Sequence, residues 1–529
     1  MANTTNPLTM QLLFDSEIFT CIVLSVGSFV LFLLLVLYNS LVGKPKRLRS
    51  KLIRQGINGP PTTFILGNIR EIKKAKQLTT TPKSHSLQPI DVHDCASLNF
   101  PFIEKWRQKY GKLFMFSLGN TQILFVDKPE IIRDIITCTS LDLGKPSYQR
   151  RELGPLLGKG IITSNGTIWA NQRKILAPEL YMEKVKGMMT IIGESAISLV
   201  NSWSNRIEAK GGSANIKVDK YFRKFSGDVI SRACFGSNFS KGEEIFSKLG
   251  ALQEVMSKNA MATWIPGMRY LPTKNNREAK ALEKEVRNCI LQVVKKRKES
   301  GDDEKDMLQM VLEATKDSKL SEEGIENFIV DNCKNIYLAG YETTAVSAAW
   351  CLLLLASNQK WQDLVRAEAL QICKGKVPDS NMLSKMKQLT MVIHETLRLY
   401  SPIPVISREA LKDMKFGNLN VPKGVIIWAM TLTSHTDTDI WGLDAYKFKP
   451  ERFANGVSGA CKLPHMYMPF GMGPRVCLGR DLAITELKIL LSLILCNFSF
   501  SLSPEYIHSP SLKLVVEPEF GVDLLVKKL

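Results

Sequence analysis

The sequence lacks the clustered ligands that mark zinc sites and thiol redox motifs. Its 11 cysteines and six histidines are scattered along 529 residues, and no two cysteines form a C-x-x-C pair. His394 and Glu395 are not followed by a second histidine at the spacing of a zinc protease. An odd, dispersed set of cysteines is typical of a reducing compartment, so the sequence predicts neither a zinc ribbon nor a disulfide framework.

The sequence also lacks the compositional bias of disordered and fibrous proteins. Hydrophobic residues make up 45% of the chain and charged residues 23%, which is ordinary for a globular protein and excludes collagen and coiled coils. The charge is unbalanced, with a formal excess of +19. Such an excess favours an acidic partner: nucleic acid, an anionic membrane surface or an acidic protein.

The N-terminal segment lacks charge over the length of a membrane span. No charged residue occurs between positions 18 and 42, a stretch that would cover about 37 Å as a helix. A cleaved signal peptide needs a basic start and a small-residue cleavage site, and neither is present. Six basic residues follow between Lys44 and Arg54, so the positive-inside rule predicts a lumenal segment 1–17, a single-pass transmembrane anchor at 18–42 and a cytosolic remainder.

Two further divisions of the chain follow the anchor. Residues 43–61 form a basic linker that ends in Gly59, Pro60 and Pro61, which predict a stiff joint. Residues 62–529 are predicted to form one cytosolic domain, mainly α with small β-sheets, because helical patterns predominate and strand patterns are short. The patterns predict helices at 182–203, 276–297, 322–355, 361–372 and 382–399, and strands at 113–118, 121–126 and 425–428.

The strongest chemical signal is the segment FGMGPRVCLG at 470–479. Its glycines allow the backbone to approach a flat ligand closely. A helix-forming pattern begins just after Cys477, and a helix N-terminus favours the thiolate form of a cysteine. Arg475 can pair with an acidic group of a ligand. The segment does not fit a phosphate-binding glycine loop, because no strand precedes it and Pro474 stands where a backbone donor is needed.

Segment 470–479 resembles the haem-binding loop of the cytochrome P450 family. In that family a cysteine thiolate is the axial ligand of the haem iron and favours O–O cleavage. The resemblance implies the cytochrome P450 fold, with haem b as cofactor and Cys477 as the ligand of the iron. It also implies that Phe470, Arg475 and Gly479 take part in haem binding.

Other residues resemble the positions at which this family contacts the haem propionates. Trp169 and Arg173 match a W-x-x-x-R motif, and residues four apart share one face of a helix. Arg408, which follows Pro402 and Pro404, matches a position that often pairs with a propionate. The resemblance therefore implies that all three contact the haem.

The stretch AGYETT at 339–344 resembles the oxygen-activating part of the family's long central helix. Glu342 and Thr343 are the implied catalytic residues, since O–O cleavage needs protons that a carboxylate and a hydroxyl can relay. Gly340 lies inside the predicted helix, where glycine costs about 1 kcal/mol relative to alanine. Its presence suggests a ligand or a local opening of the helix.

A structural charge triad is implied by two further motifs. Glu395 and Arg398 resemble the family's E-x-x-R, and Arg452 belongs to a P-E-R-F segment that packs on it. The E-x-x-R pattern occurs elsewhere in the chain, so only its position selects this pair. His435 lies in a segment where the family usually has His-Arg-Asp, and that segment is expected to be structural.

A narrower resemblance links segment 228–246 and the C-terminal region to a plant branch of the family. Members of that branch oxidise gibberellins and their ent-kaurenoid precursors, or pentacyclic triterpenoids. Many carry Asp-Ser-Thr or Asp-Thr-Thr where this chain has Glu342, Thr343 and Thr344, and the change favours a triterpenoid acid of the oleanane or ursane type. Gibberellin or ent-kaurenoid oxidation is the alternative. The substrate pocket is expected to be lined by Asn335, Ile336, Val405 and Ile406.

These features imply a haem-thiolate monooxygenase of the endoplasmic reticulum membrane that hydroxylates a hydrophobic terpenoid. Electrons would come from NADPH through NADPH–cytochrome P450 reductase, and the basic excess fits docking to an acidic reductase as well as contact with membrane lipid; nucleic acid is not expected. The alternatives are a haem-thiolate isomerase or dehydratase that needs no reductase, and a non-catalytic haem or lipid sensor. Retention of both Glu342 and Thr343 argues against those alternatives.

Overall fold

The computed structural model describes residues 7–79, 91–236, 239–258, 267–300, 306–316 and 321–529. These ranges are mainly helical with small β-sheets, which confirms the predicted fold class. The helices are α1 (Pro7–Tyr38), α2 (Lys44–Ile53), α3 (Ile69–Thr79), α4 (Cys95–Asn99), α5 (Pro101–Tyr110), α6 (Pro129–Thr137), α7 (Ser147–Glu152), α8 (Gly154–Leu157), α9 (Gly166–Leu176), α10 (Met182–Ala209), α11 (Val218–Phe235), α12 (Phe239–Lys258), α13 (Lys274–Ser300), α14 (Met307–Lys316), α15 (Glu322–Ser357), α16 (Gln359–Cys373), α17 (Ser380–Lys385), α18 (Lys387–Leu399), α19 (Thr431–His435), α20 (Thr438–Trp441), α21 (Gly456–Gly459) and α22 (Arg480–Asn497).

The strands are short and pair mostly in antiparallel fashion. The largest sheet has the order β1-β2-β8-β5-β3, in which only the β2–β8 pair is parallel. A second sheet has the order β4-β12-β9, and β6–β7 and β10–β11 are hairpins. The strands are β1 (Leu113–Leu118), β2 (Thr121–Val126), β3 (Leu143–Gly144), β4 (Ser213–Lys217), β5 (Val405–Ala410), β6 (Met414–Phe416), β7 (Leu419–Val421), β8 (Ile426–Met430), β9 (Phe498–Leu502), β10 (Pro510–Leu512), β11 (Val516–Pro518) and β12 (Asp523–Lys528).

The predicted anchor lies in a long apolar helix. Helix α1 is followed by a π-helical turn at Asn39–Gly43 and then by α2, so the expected span 18–42 is helical throughout. Its large apolar side chains from position 19 to 38 are exposed, and the helix is long enough to cross a bilayer. The linker expected at 43–61 is itself helical over Lys44–Ile53.

The largest sheet lies between two hydrophobic clusters. Phe114 and Phe116 of β1 face the larger cluster, while Met115 between them faces the smaller one. Successive side chains of a strand point to opposite faces, so a strand buried on both faces is a continuous apolar run. This burial explains why the pattern at 113–118 predicted β1 to the residue.

Helix α15 runs through the larger cluster and organises the body. It begins after Ser321, whose hydroxyl accepts a hydrogen bond from the Gly324 N–H at 3.2 Å, as expected for an N-cap. Its length and composition would also allow a membrane span, but most of the helix is buried against α11, α18 and α22. It is therefore the core helix of the body.

One buried carboxyl in this core has no partner in the described part of the chain. Glu486 lies on α22 and is 1% exposed, and neither of its side-chain oxygens has a hydrogen-bond partner. Burial raises the pKa of the Glu486 carboxyl well above its ordinary value. Burial therefore favours the neutral form of the Glu486 carboxyl over its anion.

We expect Glu486→Gln to stabilise the protein at pH 7.5 and to do so much less at pH 5. In the wild type, folding at neutral pH either protonates a carboxyl that is ionised in the unfolded chain or buries its charge without a partner, and we expect a cost on the order of 1–3 kcal/mol. Near the unfolded-state pKa that cost disappears. The measurement is the thermal unfolding midpoint of the wild type and of Glu486→Gln at pH 7.5 and at pH 5. Glu183→Gln, at an exposed position, is the control. An equal loss of stability in Glu486→Gln at both pH values would contradict the assignment.

Candidate active site

The loop at 470–479 presents Cys477 at the start of α22. The Cys477 N–H donates to the Phe470 carbonyl at 2.8 Å, which closes the loop, and Gly479 is the N-cap of the helix. Gly473 has a φ of +66°, and a β-carbon there would lie 2.2 Å from the Ile136 carbonyl oxygen. Only glycine fits this close approach, so the local sequence dictates the shape of the loop.

The thiol of Cys477 is accessible although protein surrounds it. Cys477 is exposed, yet burial raises the pKa of its thiol, and the N–H of Gly479 and the guanidinium of Arg173 oppose that rise. The thiol is thus reachable by solvent although protein atoms surround it on most sides. The helix N-terminus alone does not give the low pKa that the sequence suggests, but a coordinated metal ion deprotonates a thiol outright.

Trp169 is the centre of a cationic cluster beside this loop. The guanidinium of Arg475 lies 4.0 Å from the Trp169 ring centroid, and that of Arg173 lies 5.9 Å from it. Arg173 also donates to the Val476 carbonyl at 3.0 Å, which connects α9 to the loop. Two residues predicted from the W-x-x-x-R spacing therefore lie together with the arginine of the loop.

Two more cations complete the cluster. Arg408 on β5 is buried, which lowers its pKa to about 10, and the charges of Arg408 and Arg475 add to burial in lowering the pKa of Lys145. The side chain of Asn165 connects Lys145 and Arg475. Its Oδ1 accepts a hydrogen bond from the backbone N–H of Lys145 at 2.5 Å and from the guanidinium of Arg475 at 3.2 Å. In the described ranges no carboxylate forms an ion pair with Arg173, Arg408, Arg475 or Lys145.

One face of α15 is accessible near the middle of the helix. Ala339 is exposed in the middle of this buried helix, and Ile336 and Thr343, which are three and four positions away, are partly accessible. Thr344 is 3% exposed and lies on another side. The Thr343 hydroxyl donates to the Ala339 carbonyl at 2.7 Å, so it lies along the open face.

Glu342 does not lie on this open face. Its carboxylate accepts two N–H bonds from Arg223 of α11, both at 3.1 Å, and is 4% exposed. Gly340 also faces α11, since a β-carbon there would lie 2.2 Å from the Ile230 side chain. The close packing of two helices therefore accounts for Gly340, and the ligand or helix opening that the sequence suggested is not needed to explain it.

The expected charge triad lies at the C-terminal end of α18. Arg398 and Glu395 are both fully buried and form a bidentate pair with N–O distances of 2.7 and 2.8 Å. Arg452 approaches Glu395 less closely, at 3.6 Å, and its guanidinium donates instead to the Trp441 carbonyl at 2.9 Å. The main contact of Arg452 is thus its hydrogen bond to the segment around Trp441, not its ion pair with Glu395.

His435 connects this triad to the cysteine loop. Its Nδ1 lies 3.1 Å from the Arg398 carbonyl oxygen, and its Nε2 accepts the Met468 N–H at 3.0 Å. These partners assign the proton to Nδ1. Burial lowers the pKa of His435 to about 3, so the ring is neutral and its two bonds persist across the physiological pH range.

The four residues expected to line the pocket differ in their positions. Ile336 and Val405 are partly accessible, whereas Ile406 is nearly buried. Asn335 is 1% exposed, and its side chain bonds the Ile162 N–H and the Leu157 carbonyl. The expectation for Asn335 is therefore wrong: its amide fixes the segment after α8 against α15.

The comparisons with known proteins agree with this geometry. A family model described as Cytochrome P450 matches residues 95–523. The chain belongs to the cytochrome P450 family. Cytochrome P450 714C2 of Oryza sativa subsp. japonica is 49% identical over 493 residues, 92% of this chain and 94% of the relative. Cytochrome P450 714B2 of the same rice is 46% identical over 506 residues, which are 93% of this chain and 94% of the relative. Cytochrome P450 714A2 of Arabidopsis thaliana is 42% identical over 501 residues, which are 92% of this chain and 95% of the relative.

This cytochrome P450 is a monooxygenase that uses haem b and electrons supplied from NADPH by a reductase. Its residues fit that cofactor. An accessible thiol at a helix start suits an axial ligand. The cationic cluster, which lacks carboxylate partners among the described residues, suits the two propionates of a haem.

Three residues of the site were not found by sequence reasoning. Lys145 belongs to none of the motifs, and Asn165 lies four positions before Trp169, outside the W-x-x-x-R pattern. Arg223 lies on an ordinary amphipathic helix, and only the fold brings it to Glu342. Local sequence carried no signal for any of these contacts.

Proposed function

We propose that Cys477 is the axial ligand of the haem iron and that Trp169, Arg173, Arg408 and Arg475 bind the haem propionates. Phe470 and Gly479 shape the loop that carries the ligand. We add Lys145 to the propionate-binding set, since its ammonium adjoins Arg408 and Arg475 and forms no ion pair with any described residue. A bound haem with a thiolate ligand supplies dioxygen activation. The accessible thiol beside a cationic cluster that has no carboxylate partner among the described residues carries this assignment.

Proton supply is the proposed role of Glu342 and Thr343. Thr343 lies on the open face of α15, and its hydroxyl can rotate from the Ala339 carbonyl towards a ligand in the cleft. Glu342 is the nearest carboxylate in sequence, and it can store a proton behind the helix. The structural triad of Glu395, Arg398 and Arg452 is proposed to hold the haem-binding loop in place from beneath.

The proposed substrate is a terpenoid, and within that class a pentacyclic triterpenoid acid of the oleanane or ursane type. The apolar, partly accessible Ile336, Ala339 and Val405 favour a hydrophobic ligand. Oxidation of a gibberellin or ent-kaurenoid acid is the second candidate, because the resemblance in segment 228–246 fits it equally well. A product screen with a co-expressed reductase, over oleanolic, ursolic and ent-kaurenoic acids, decides between them.

We further propose that α1 anchors the protein in the endoplasmic reticulum membrane with the body in the cytosol, where NADPH–cytochrome P450 reductase can dock. The basic helix α2 directly after the span supports this orientation. Asn165 and Asn497 each begin an N-x-S/T sequon, the pattern that is glycosylated in the lumen. The side-chain amide of each donates a hydrogen bond to a backbone carbonyl that a glycan would disrupt, which favours a body that carries no glycan at these positions.

Haem ligation by Cys477 predicts a specific spectral loss. The reduced carbon monoxide complex of the wild type should show the red-shifted Soret band of thiolate ligation. Cys477→Ala should lose that band, because the thiolate that causes the shift is gone. Cys461→Ala should keep it, since that thiol donates to the Leu463 carbonyl in another segment. Retention of the band in Cys477→Ala would refute the assignment.

The position of Thr343 predicts uncoupling rather than loss of binding. Thr343→Ala should keep the thiolate spectrum and the substrate-induced spectral shift but form less product per NADPH, with hydrogen peroxide released instead. General acid–base groups contribute about 10²–10⁴-fold, and water can partly replace a hydroxyl, so we expect a loss near or below the low end. Thr344→Ala should couple better than Thr343→Ala because its side chain lies off the open face. Wild-type coupling in Thr343→Ala would rule the role out.

Membrane orientation can be read from protease protection. Protease added to intact microsomes should digest the body and spare only the N-terminal segment, and detergent should remove that protection. Glycosylation gives a second measure of orientation, because Asn3 in the predicted lumenal segment and Asn238 in the body each begin an N-x-S/T sequon; both lie outside the described residues. A glycan on Asn165, Asn238 or Asn497 would place the body in the lumen and contradict the proposal.

A further inference from the structure

Two free thiols of the protein lie against each other at the C-terminal ends of α16 and α22. All 11 cysteines are free thiols. Cys373 is the last residue of α16, and Cys496 is the last but one of α22. Their side chains form a hydrogen bond with each other, although the two residues are far apart in the chain. We call these two residues the thiol pair.

The packing of α16 on α22 and on the strand that follows it keeps the thiol pair in contact. The Gln362 side chain donates to the Phe500 carbonyl at 2.8 Å and accepts from the Phe500 N–H at 3.2 Å. Arg366 donates to the Phe498 carbonyl at 3.2 Å. Gln362 and Arg366 precede Cys373 by about three and two helical turns, so all three lie on one side of α16. The contact between the thiols is therefore part of a well-anchored interface.

The two thiols differ in their chemistry. The hydrogen bond from Cys496 lowers the pKa of the Cys373 thiol, burial opposes that effect, and the Ser492 hydroxyl one turn before Cys496 adds to it. The same hydrogen bond raises the pKa of the Cys496 thiol, because it keeps the proton on that sulfur. The thiolate, which is the nucleophilic form of cysteine, is thus favoured at Cys373 and not at Cys496.

Access distinguishes the thiol pair from thiols of the hydrophobic core. Cys496 is partly accessible. Cys373 is 1% exposed, but α16 ends there, with Lys374 in a left-handed conformation, and helix ends fray. A small oxidant can therefore reach the thiol pair without unfolding the core. Cys234 and Cys333 also lie near each other, yet both are buried inside the body, and burial raises the pKa of the Cys333 thiol to about 12.

We propose that the thiol pair is an oxidation site, at which hydrogen peroxide forms a reversible disulfide between α16 and α22. The Cys373 thiolate attacks a peroxide oxygen: an S–O bond forms, the O–O bond breaks, and the leaving hydroxide takes the Cys496 proton as water. The Cys496 thiolate then attacks the sulfenic sulfur: the S–S bond forms, the S–O bond breaks, and a second hydroxide leaves. That hydroxide takes up from solvent the proton that Cys373 had lost. Two thiols and one peroxide thus give one disulfide and two waters.

The oxidant is one that a monooxygenase can itself supply. Dioxygen that receives two electrons and two protons without being cleaved leaves the enzyme as hydrogen peroxide. The disulfide would join α16 to the helix that begins just after Cys477. A disulfide that forms only under peroxide is compatible with a reducing compartment, because glutathione can reopen it by thiol–disulfide exchange.

The test follows the redox state of each cysteine in the full-length, haem-loaded protein. After brief treatment with hydrogen peroxide, free thiols are blocked with N-ethylmaleimide, disulfides are reduced, and the released thiols are labelled with heavy N-ethylmaleimide for peptide mass spectrometry. Cys373 and Cys496 should gain heavy label together, about tenfold or more faster than Cys234 and Cys333. An unreduced digest should contain the peptide cross-linked between them. NADPH and reductase without substrate should produce the same cross-link, and catalase should suppress it.

Single substitutions separate the two steps. Cys496→Ser should stop the reaction at a sulfenic acid on Cys373, which dimedone traps, because the second thiol is missing. Cys373→Ser should slow oxidation of Cys496 about tenfold or more, because the favoured thiolate is gone. Cys461→Ala is the matched control, since Cys461 is also partly accessible and lies outside the thiol pair; it should leave the cross-link unchanged.

Two results would overturn the proposal. One is a thiol pair that stays reduced under peroxide that oxidises Cys461. The other is a cross-link that appears only after the haem spectrum is lost, because it would then form in the unfolded chain.

Discussion

The buried guanidinium of Arg398 is the interaction on which the haem-binding half of the body depends. All five of its N–H donors are used: two bond Glu395, and the others bond the carbonyls of His435, Ala445 and Lys447. A guanidinium with no exposed surface is tolerated only when every donor is satisfied. Removing one partner of such a buried pair costs about 3–5 kcal/mol. The pair thus fixes α18 to a segment that has little regular structure of its own.

That segment in turn determines where the cysteine loop lies. The carbonyl of Arg398 bonds one nitrogen of His435, and the other nitrogen accepts the Met468 N–H just before the loop. From the opposite side, Arg173 of α9 bonds the Val476 carbonyl. The loop is therefore held on one side through His435 and Arg398 and on the other side by Arg173. The cationic cluster beside the loop has no acidic partner among the described residues. A dianionic ligand would complete the charge balance that the protein alone leaves open.

Sequence reasoning succeeded where a short motif determines local geometry. The glycines of the loop at 470–479 allow one backbone path, and the W-x-x-x-R spacing brings Trp169 and Arg173 to one face of α9. Strands β1 and β2 were predicted to the residue because both of their faces are buried. Strands such as β3 and β10, of two and three residues, are too short to carry a pattern and exist only through their partners. Gly340 was misread because the cost of glycine in a helix says nothing about which neighbour requires it.

The geometry of α15 places the partly accessible Thr343 and the buried Glu342 on different faces of the helix. Consecutive helical residues point about 100° apart, so Thr343 can face the cleft only if Glu342 faces elsewhere. A carboxylate on the cleft side would stand in an apolar environment, where an unpaired charge is costly. On the other side of the helix, Arg223 supplies the positive charge that makes the buried Glu342 carboxylate tolerable. The proposed role of Glu342 as a proton donor therefore requires that this ion pair be broken, and Arg223 already contacts a second carboxylate, that of Glu517.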